Sequence, residues 1–365
     1  MQILFEVISK KRPAVLPLPA NNNHLSYLLA SNLRAEEKID DDIAVVIPTS
    51  GTTGKPKGAM LTADSLKASA EASHAYLGGK GQWLLALPIC HIAGLQVMIR
   101  SIISSTIPVI LPVDFKPYTL ISAINSLTGN RRYASMVAVQ LHKTLHNVDA
   151  VSALASLNAV LIGGGPISNK LMERASSLGI NIIHTYGMSE TSGGCIYNGT
   201  ALNGVSLRIE NSRVLIGGPL VAKGYRNAIN SNPFISTNWF CSNDLGIIEN
   251  TGKLRIIGRA DESINTGGLT IVPQLVESVI NTHPSINACV VFGIPDKYLG
   301  ERVAVAILLT PRTPIPKIDE IQKYVTKTLD ITATPREMYI VKKLPYNSLG
   351  KINRSSLAQT LVNRV

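Results

Sequence analysis

Ten consecutive residues, Thr49-Ser50-Gly51-Thr52-Thr53-Gly54-Lys55-Pro56-Lys57-Gly58, have the composition of a phosphate-binding loop. Glycines let a backbone close around phosphate oxygens, hydroxyls and amides donate hydrogen bonds to them, and lysines supply charge. The spacing is not that of a Walker A loop: Pro56 stands where that motif needs its second glycine. Glu190, in Tyr186-Gly187-Met188-Ser189-Glu190-Thr191, reads as following a glycine-containing loop after a strand. One carboxylate with phosphate oxygens is a usual way to hold Mg²⁺; a solvated turn glutamate is the plainer alternative. Asp244, before Gly246, reads on its own as a turn-capping aspartate. Gly163-Gly164-Gly165-Pro166 has no side chains to crowd a planar ring, and also suits a tight strand-to-helix turn. Tyr186 is either a cover for such a ring or a core aromatic. His91, in an apolar run, and Lys351, in a Ser-Leu-Gly-Lys turn, read on their own as a core histidine and a solvated charge.

These residues need elements to position them. Ile43–Ile47, Ala159–Ile162 and Asn181–His184 are short apolar runs, and helical patterns cover Asp64–Ala75 and, after a Ser168 cap, Lys170–Ser177. Strands alternating with helices predict an α/β sheet, with ligands beyond the strand C-termini, where the loops above fall. The later part differs. Leu254–Ile257 is a short strand, Pro273 opens a helix through Ile280, and Cys289–Phe292 and Val303–Leu309 are strands. Ile318, Ile321, Val325 and Leu329 fall at helical spacing. The pattern is a small α+β domain, with the boundary at Arg259–Asp261: a large domain over 1–258, a hinge over 259–261 and a small domain over 262–365.

Composition narrows the classes. The 365 residues are 45% hydrophobic and 16% charged, which excludes a disordered chain. The charge of +11 is spread along the chain, which suits small anions, and aromatics at 5% are too few for a base-stacking surface, so no nucleic-acid partner is expected. The longest uncharged run, Trp83–Ile99, contains Pro88, His91, Gly94 and Gln96 and reads as buried, so no membrane span is expected. Met1–Ile8 is apolar but has the charge order of a secretory signal reversed. Cys90, Cys195, Cys241 and Cys289 are widely spaced, as suits reduced thiols in a cytoplasmic protein.

The motifs together resemble the adenylate-forming superfamily of acyl-CoA synthetases, peptide-synthetase adenylation domains and luciferases. Thr49–Gly58 is similar to its signature loop and Tyr186–Thr191 to its fifth core motif. Asn243-Asp244-Leu245-Gly246 is similar to the seventh. Gly258-Arg259-Ala260-Asp261 with Gly267-Gly268 is similar to the eighth, and Leu344–Arg354 to the tenth, all in the family's order. The resemblance implies an α/β fold: a large N-terminal adenylate-forming domain of stacked sheets and helices with a small mobile α+β C-terminal domain. It implies ATP binding by Thr49, Ser50, Gly51, Thr52, Thr53, Gly54, Lys55, Lys57, Gly164, Gly165, Pro166, Tyr186, Gly187, Asp244 and Arg259. Catalysis falls to Lys351, Glu190, Thr52 and His91, with Mg²⁺ on Glu190. The acyl group would lie by His91, Ala93, Gly94, Gly187, Met188 and Ser189. CoA would pass Gly267 and Gly268, and Asp261 would be the hinge.

The His91–Leu95 phrase, Ser135–Leu141 and Leu161–Ser168 resemble the o-succinylbenzoate–CoA ligases of menaquinone biosynthesis, which implies ATP, Mg²⁺, CoA and a small carboxylic acid as partners. A homo-oligomer is left open. Arg131, Arg132 and Lys143 are candidates for pairing a second substrate carboxylate, with a solvated face the plainer reading for at least two of them. Most members carry a longer segment ahead of the phosphate loop, so the resemblance implies an N-terminally reduced large domain. The alternatives are a CoA ligase for another short-chain or aryl acid, an adenylation enzyme that loads a carrier protein, and a non-catalytic nucleotide-binding protein.

Overall fold

The computed structural model of the protein describes residues 1–20, 22–49, 56–112, 115–227, 232–345 and 354–362. Helices α1 (Gln2–Ile8) and α2 (Asn23–Asn32) precede β1 (Ile43–Thr49), which pairs antiparallel with β2 (Lys57–Thr62). Thr49 stands opposite Lys57, so the two ends of the phosphate-loop segment are held side by side. Helix α3 (Ala63–Tyr76) is started by Thr62, whose Oγ1 accepts from the Ser65 N–H.

There follow β3 (Gln82–Leu85), α4 (Ile92–Ile103), β4 (Val109–Ile110), α5 (Pro117–Asn125), β5 (Arg132–Val137) and α6 (Ala138–Thr144). Next come α7 (Val148–Ala155), β6 (Ala159–Gly163), α8 (Asn169–Ser177), β7 (Ile182–Met188), β8 (Gly193–Tyr197) and β9 (Thr200–Ala201). Ser168 Oγ accepts from the Leu171 N–H and starts α8, as its position before the helical pattern predicts. The strands form one seven-stranded sheet in the order β4-β3-β5-β6-β7-β8-β9, parallel from β4 to β7. Successive side chains point to opposite faces, and both faces are covered. Ala134, Met136, Val160, Ile162 and Ile182 pack with α5–α8; Trp83, Tyr133, Ala159, Leu161 and Ile183 pack with α3 and α4. The outer sides of α3 and α4 cover β1 and β2 through Leu66, Ala70, Leu95 and Ile99 against Val45, Ile47 and Leu61. The uncharged run from Trp83 to Ile99 is buried at its two ends, in β3 and α4, while Ile89 in the turn between them is exposed.

Beyond β9 come β10 (Ser206–Glu210), β11 (Arg213–Gly217), β12 (Gly224–Tyr225), β13 (Phe234–Ser236), β14 (Trp239–Ile248) and β15 (Leu254–Arg259). β12 returns to pair with β2, and the other five form a five-stranded sheet. The expectation that Ile43–Ile47 shares a sheet with the two later apolar runs is therefore corrected. β6 and β7 are parallel neighbours, whereas β1 belongs to a separate three-stranded sheet with β2 and β12. Residues 50–56 are too few for the dozen or more that a parallel crossover needs, so β1 and β2 pair as antiparallel neighbours.

The chain divides into two compact units: Met1–Arg208, Leu215–Ser242 and Ile248–Leu254 in one, and Ile209–Val214, Asn243–Ile247 and Arg255–Val365 in the other. The second unit holds β16 (Ile264–Thr266), β17 (Leu269–Ile271), α9 (Pro273–Ile280), β18 (Ile286–Asp296) and β19 (Gly300–Leu309). It continues with α10 (Ile318–Val325), β20 (Glu337–Ile340) and α11 (Arg354–Val362). Its sheet has the order β17-β16-β19-β18, with β20 parallel on β19. Val291, Val303, Val305 and Ile307 face Val276, Ile280, Ile321 and Val325 of α9 and α10. The alternate residues Val290, Phe292, Ala304 and Ala306 face Leu357 and Leu361 of α11. Burial on both faces explains why β19 is apolar from Val303 to Leu309 rather than alternating. Helix α10 ends at Val325, not Leu329. The chain turns there, the Leu329 N–H donates to the Val325 carbonyl, and Leu329 still packs on the same core. No helix among the described residues is long and apolar enough to cross a membrane.

Candidate active site

The parallel strands place several predicted residues along one sheet edge. Val137 at the end of β5 is opposite Gly163 at the end of β6, and β7 runs on beyond β6 through Thr185–Met188. Gly164, at φ +85°, and Gly165 form the bend before Pro166 and α8. A Cβ on Gly163 would stand 2.4 Å from Thr185 Oγ1, so glycine is needed for β6 and β7 to approach. From the same edge of the sheet, the turn after β3 leads to His91, the N-cap of α4. Gly94, in the first turn of α4, makes room for that turn: a Cβ there would lie 2.2 Å from the Pro88 carbonyl oxygen. Ala93 is half-buried beside it.

Two expectations about backbone setting are corrected. Tyr186, Gly187 and Met188 belong to strand β7 rather than to a loop, and Glu190 sits on the 3-10 turn Ser189–Thr191. β7 can extend this far because β8 returns antiparallel against it; a Cβ on Gly187 would stand 2.0 Å from the Gly193 carbonyl oxygen. Thr191 Oγ1 accepts from the Met188 N–H, and the Gln96 side chain of α4 donates to the Ser192 carbonyl at 2.7 Å. The helix that follows His91 and the turn that carries Glu190 are thus fixed to each other. Asp244 likewise lies within strand β14, not in a turn.

Glu190 is buried, with 8% of its surface exposed. Its Oε1 accepts a 2.6 Å hydrogen bond from the Tyr225 hydroxyl, and the Ala222 N–H donates to its carbonyl at 2.8 Å. Burial, and then the charge and hydrogen bond of Glu190, push the Tyr225 hydroxyl well above the usual phenol range, so it remains a proton donor. Lys57 Nζ lies 5.3 Å from the centre of the Tyr225 ring. Asn227 clamps the end of the phosphate-loop segment: its Oδ1 accepts from the Gly58 N–H at 3.1 Å and its Nδ2 donates to the Pro56 carbonyl at 2.7 Å. The Arg226 guanidinium donates to the carbonyls of Arg34, Glu37 and Lys38. Sequence reading missed Tyr225 and Asn227. The two-residue strand β12 has no periodicity, and only its long-range pairing with β2 shows what it serves.

In the second unit, Arg259 Nη1 meets Asp244 Oδ1 at 3.3 Å, and its Nε and Nη2 meet the two Asp261 oxygens at 2.9 and 2.8 Å. Burial lowers the Arg259 pKa, but hydrogen bonding to Asp261 and the charges of Asp244, Asp261 and Glu262 outweigh it and hold the guanidinium charged. Gly267 and Gly268 have φ of +58° and +81° and form the two-residue turn between β16 and β17. Such a hairpin wants glycine at both positions for backbone reasons alone. Arg354 donates to Glu262 and Glu277, both at 3.0 Å, anchoring the start of α11.

Ser50, Gly51, Thr52, Thr53, Gly54, Lys55 and Lys351 lie outside the described residues. The structure corrects the proposal for Arg131 and Arg132. They stand at the start of β5, where Arg132 donates to the Ser156 carbonyl, and five strand residues, about 16 Å, separate them from Val137 at the site edge. Lys143 is exposed near the end of α6. Among the described residues no group of three or more His, Cys, Asp or Glu could hold a metal ion. A lone buried carboxylate bonded to a neutral phenol instead fits Mg²⁺ that arrives on substrate phosphates, since such ions take one or two carboxylates with phosphate oxygens.

A parallel sheet with a glycine-lined edge, beside a clamped phosphate-loop segment and a buried acid, defines a nucleotide-handling α/β enzyme. The chain belongs to the AMP-binding enzyme family, whose profile matches residues 6–226, and the family's C-terminal domain matches residues 275–351. A probable 2-succinylbenzoate–CoA ligase of Mycobacterium tuberculosis is 48% identical over 361 residues, 98% of this chain and 93% of that protein. The 2-succinylbenzoate–CoA ligase of Listeria monocytogenes is 32% identical over 332 residues, 87% of this chain and 70% of that protein. Among solved structures, the o-succinylbenzoate CoA synthetase of Bacillus subtilis, in complex with its acyl-adenylate intermediate, is 27% identical with a TM-score of 0.73. It covers 88% of this chain and 72% of its own.

Proposed function

We propose that this protein is an ATP-dependent acid–CoA ligase that converts 2-succinylbenzoate to 2-succinylbenzoyl-CoA, with AMP and pyrophosphate as the other products. The observation that carries the reaction class is Glu190: a buried acid held by a phenol at the end of β7, with Lys57 of the phosphate-loop segment on the same phenol ring. The choice of acid rests on the names of the relatives.

In the first step an oxygen of the substrate carboxylate attacks the α-phosphorus of ATP and the bond to pyrophosphate breaks, leaving an acyl-adenylate. Thr49, Ser50, Gly51, Thr52, Thr53, Gly54, Lys55 and Lys57 hold the phosphates, and Lys351 brings charge to the reacting carboxylate and phosphate. These contributions are positioning and electrostatics. Mg²⁺, held by Glu190 and the phosphates, supplies charge neutralisation when bound. Gly164, Gly165, Pro166 and Tyr186 flank the adenine, Asp244, held by Arg259, accepts from the ribose hydroxyls, and Gly187, Met188, Ser189, His91, Ala93 and Gly94 line the acyl group. In the second step the CoA thiol attacks the acyl carbon, its proton passes to solvent and AMP leaves. A small domain over 262–365 turns about Asp261 between the steps and brings the Gly267-Gly268 turn to CoA.

The test is mass detection of the thioester formed from ATP, CoA and 2-succinylbenzoate, with benzoate and octanoate beside it. A thioester with 2-succinylbenzoate is expected. Product from benzoate alone would overturn the substrate, and failure to release pyrophosphate with any acid would overturn the ligase.

A further inference from the structure

Tyr225 is not among the residues that the motifs assign, and its hydroxyl and its ring face make different contacts. The hydroxyl donates to Glu190 Oε1 at 2.6 Å, while Lys57 Nζ lies 5.3 Å from the ring centre. The ring is steadied from another side by Phe234, packed edge-on with centroids 5.3 Å apart. Its backbone is fixed by pairing with Ala59, two residues past Lys57, and Arg226 beside it is tied to the carbonyls of Leu33, Arg34, Glu37 and Lys38. Among the described residues the phenol is the one side-chain partner of the buried carboxylate. A partner that donates to one oxygen of a ligating acid fixes the orientation of the other, and losing such a partner costs ten- to a hundredfold in metal affinity.

We infer that Tyr225 is a positioning residue, whose hydroxyl orients Glu190 toward a divalent cation carried by the nucleotide and whose ring seats Lys57 of the phosphate-loop segment. The inference rests on the proposed role of Glu190 in holding Mg²⁺. The hydroxyl does not itself touch substrate. It holds the carboxylate in one rotamer within a buried site, so the ion meets a pre-set oxygen rather than one that must first be ordered.

The test is a titration of Mn²⁺, in place of Mg²⁺, into the full-length protein with a non-hydrolysable ATP analogue, read by electron paramagnetic resonance. Tyr225→Phe keeps the ring and removes the donor; its Mn²⁺ affinity is expected to fall about tenfold or more. Phe234→Leu disturbs the same packing and leaves the hydroxyl, and should bind Mn²⁺ as the natural protein does. Adding Tyr225→Phe to Glu190→Gln should cost nothing further, since the phenol acts through the carboxylate. Unchanged affinity in Tyr225→Phe, an equal loss in Phe234→Leu, or additive losses in the double variant would each overturn the inference while leaving the reading of Glu190 intact. A Tyr225→Phe chain that failed to fold would assign the hydroxyl to stability and overturn it too. Natural affinity in Glu190→Gln would remove the reading of Glu190 itself, and the inference with it.

Discussion

The two acidic sites of this protein are balanced in different ways. Glu190 is buried, and its side-chain hydrogen bond among the described residues comes from a neutral phenol. Asp244 and Asp261 instead share the Arg259 guanidinium, which makes charge-assisted bonds to both within the second unit. Burying a charge without a counter-charge costs free energy that the fold must supply elsewhere. A buried acid whose described side-chain partner is a neutral phenol is suited to a cation that arrives with the ligand. A guanidinium bonded to two acids is suited to holding strand β15 and the 3-10 turn at Ala260–Glu262 in one geometry.

The largest expected effect separates the two directly. Glu190→Gln should cut pyrophosphate release by about a hundredfold, the scale of a lost metal contact worth several kcal/mol, while the melting temperature holds or rises. A large fall in melting temperature would show that the acid serves the fold instead. Next in size are the glycines. Gly187→Ala places a Cβ 2.0 Å from a backbone oxygen and should cost about 2–3 kcal/mol in denaturant unfolding. Gly268→Ala meets open space and only a left-handed φ, so about 1 kcal/mol is expected, with Gly268→Asn milder. If Gly268→Asn loses thioester formation but keeps its stability, the turn serves CoA and not only the hairpin.

Arg259→Met removes the shared partner of Asp244 and Asp261. The side chain is 37% exposed, so less than about 1 kcal/mol of stability should be lost. Raised salt should recover part of it, because the two acids then repel each other. A loss as large as that of Gly187→Ala would erase the contrast between the sites. The smallest effect concerns His74, buried by Trp83 and near Arg100, whose pKa is lowered from 6.5 to about 4 by burial and then by the charges of Arg100 and Lys80. The unfolded chain binds this proton first, so the stability is present above pH 6.5 and is lost as pH falls toward 4. Melting temperatures across that window should fall less steeply in His74→Gln.

Much of the fold was legible along the chain. Ser168 before a helical pattern marks the start of α8, and Pro273 marks α9, because capping and proline geometry are local. The partner of each strand was not legible. β1, β6 and β7 are all short apolar runs, yet one pairs antiparallel in a small sheet and two pair in a large parallel one. Periodicity records which faces are buried, not against what. Similarly, Arg131 and Arg132 looked able to meet a substrate acid until the direction of β5 put them at the far end of the sheet.

The sequence by itself determined the chemistry that the protein can offer: a phosphate-loop composition, a lone acid at 190, an aspartate at 244, a lysine at 351, and motifs in an order that names the family. Only the tertiary structure decided what each acid faces. Tyr225 meets Glu190 across 35 positions and Arg259 meets Asp244 across 15. Those meetings come from strand pairing and burial, which join residues that no local pattern connects, and they set the charge that each site has left for a ligand.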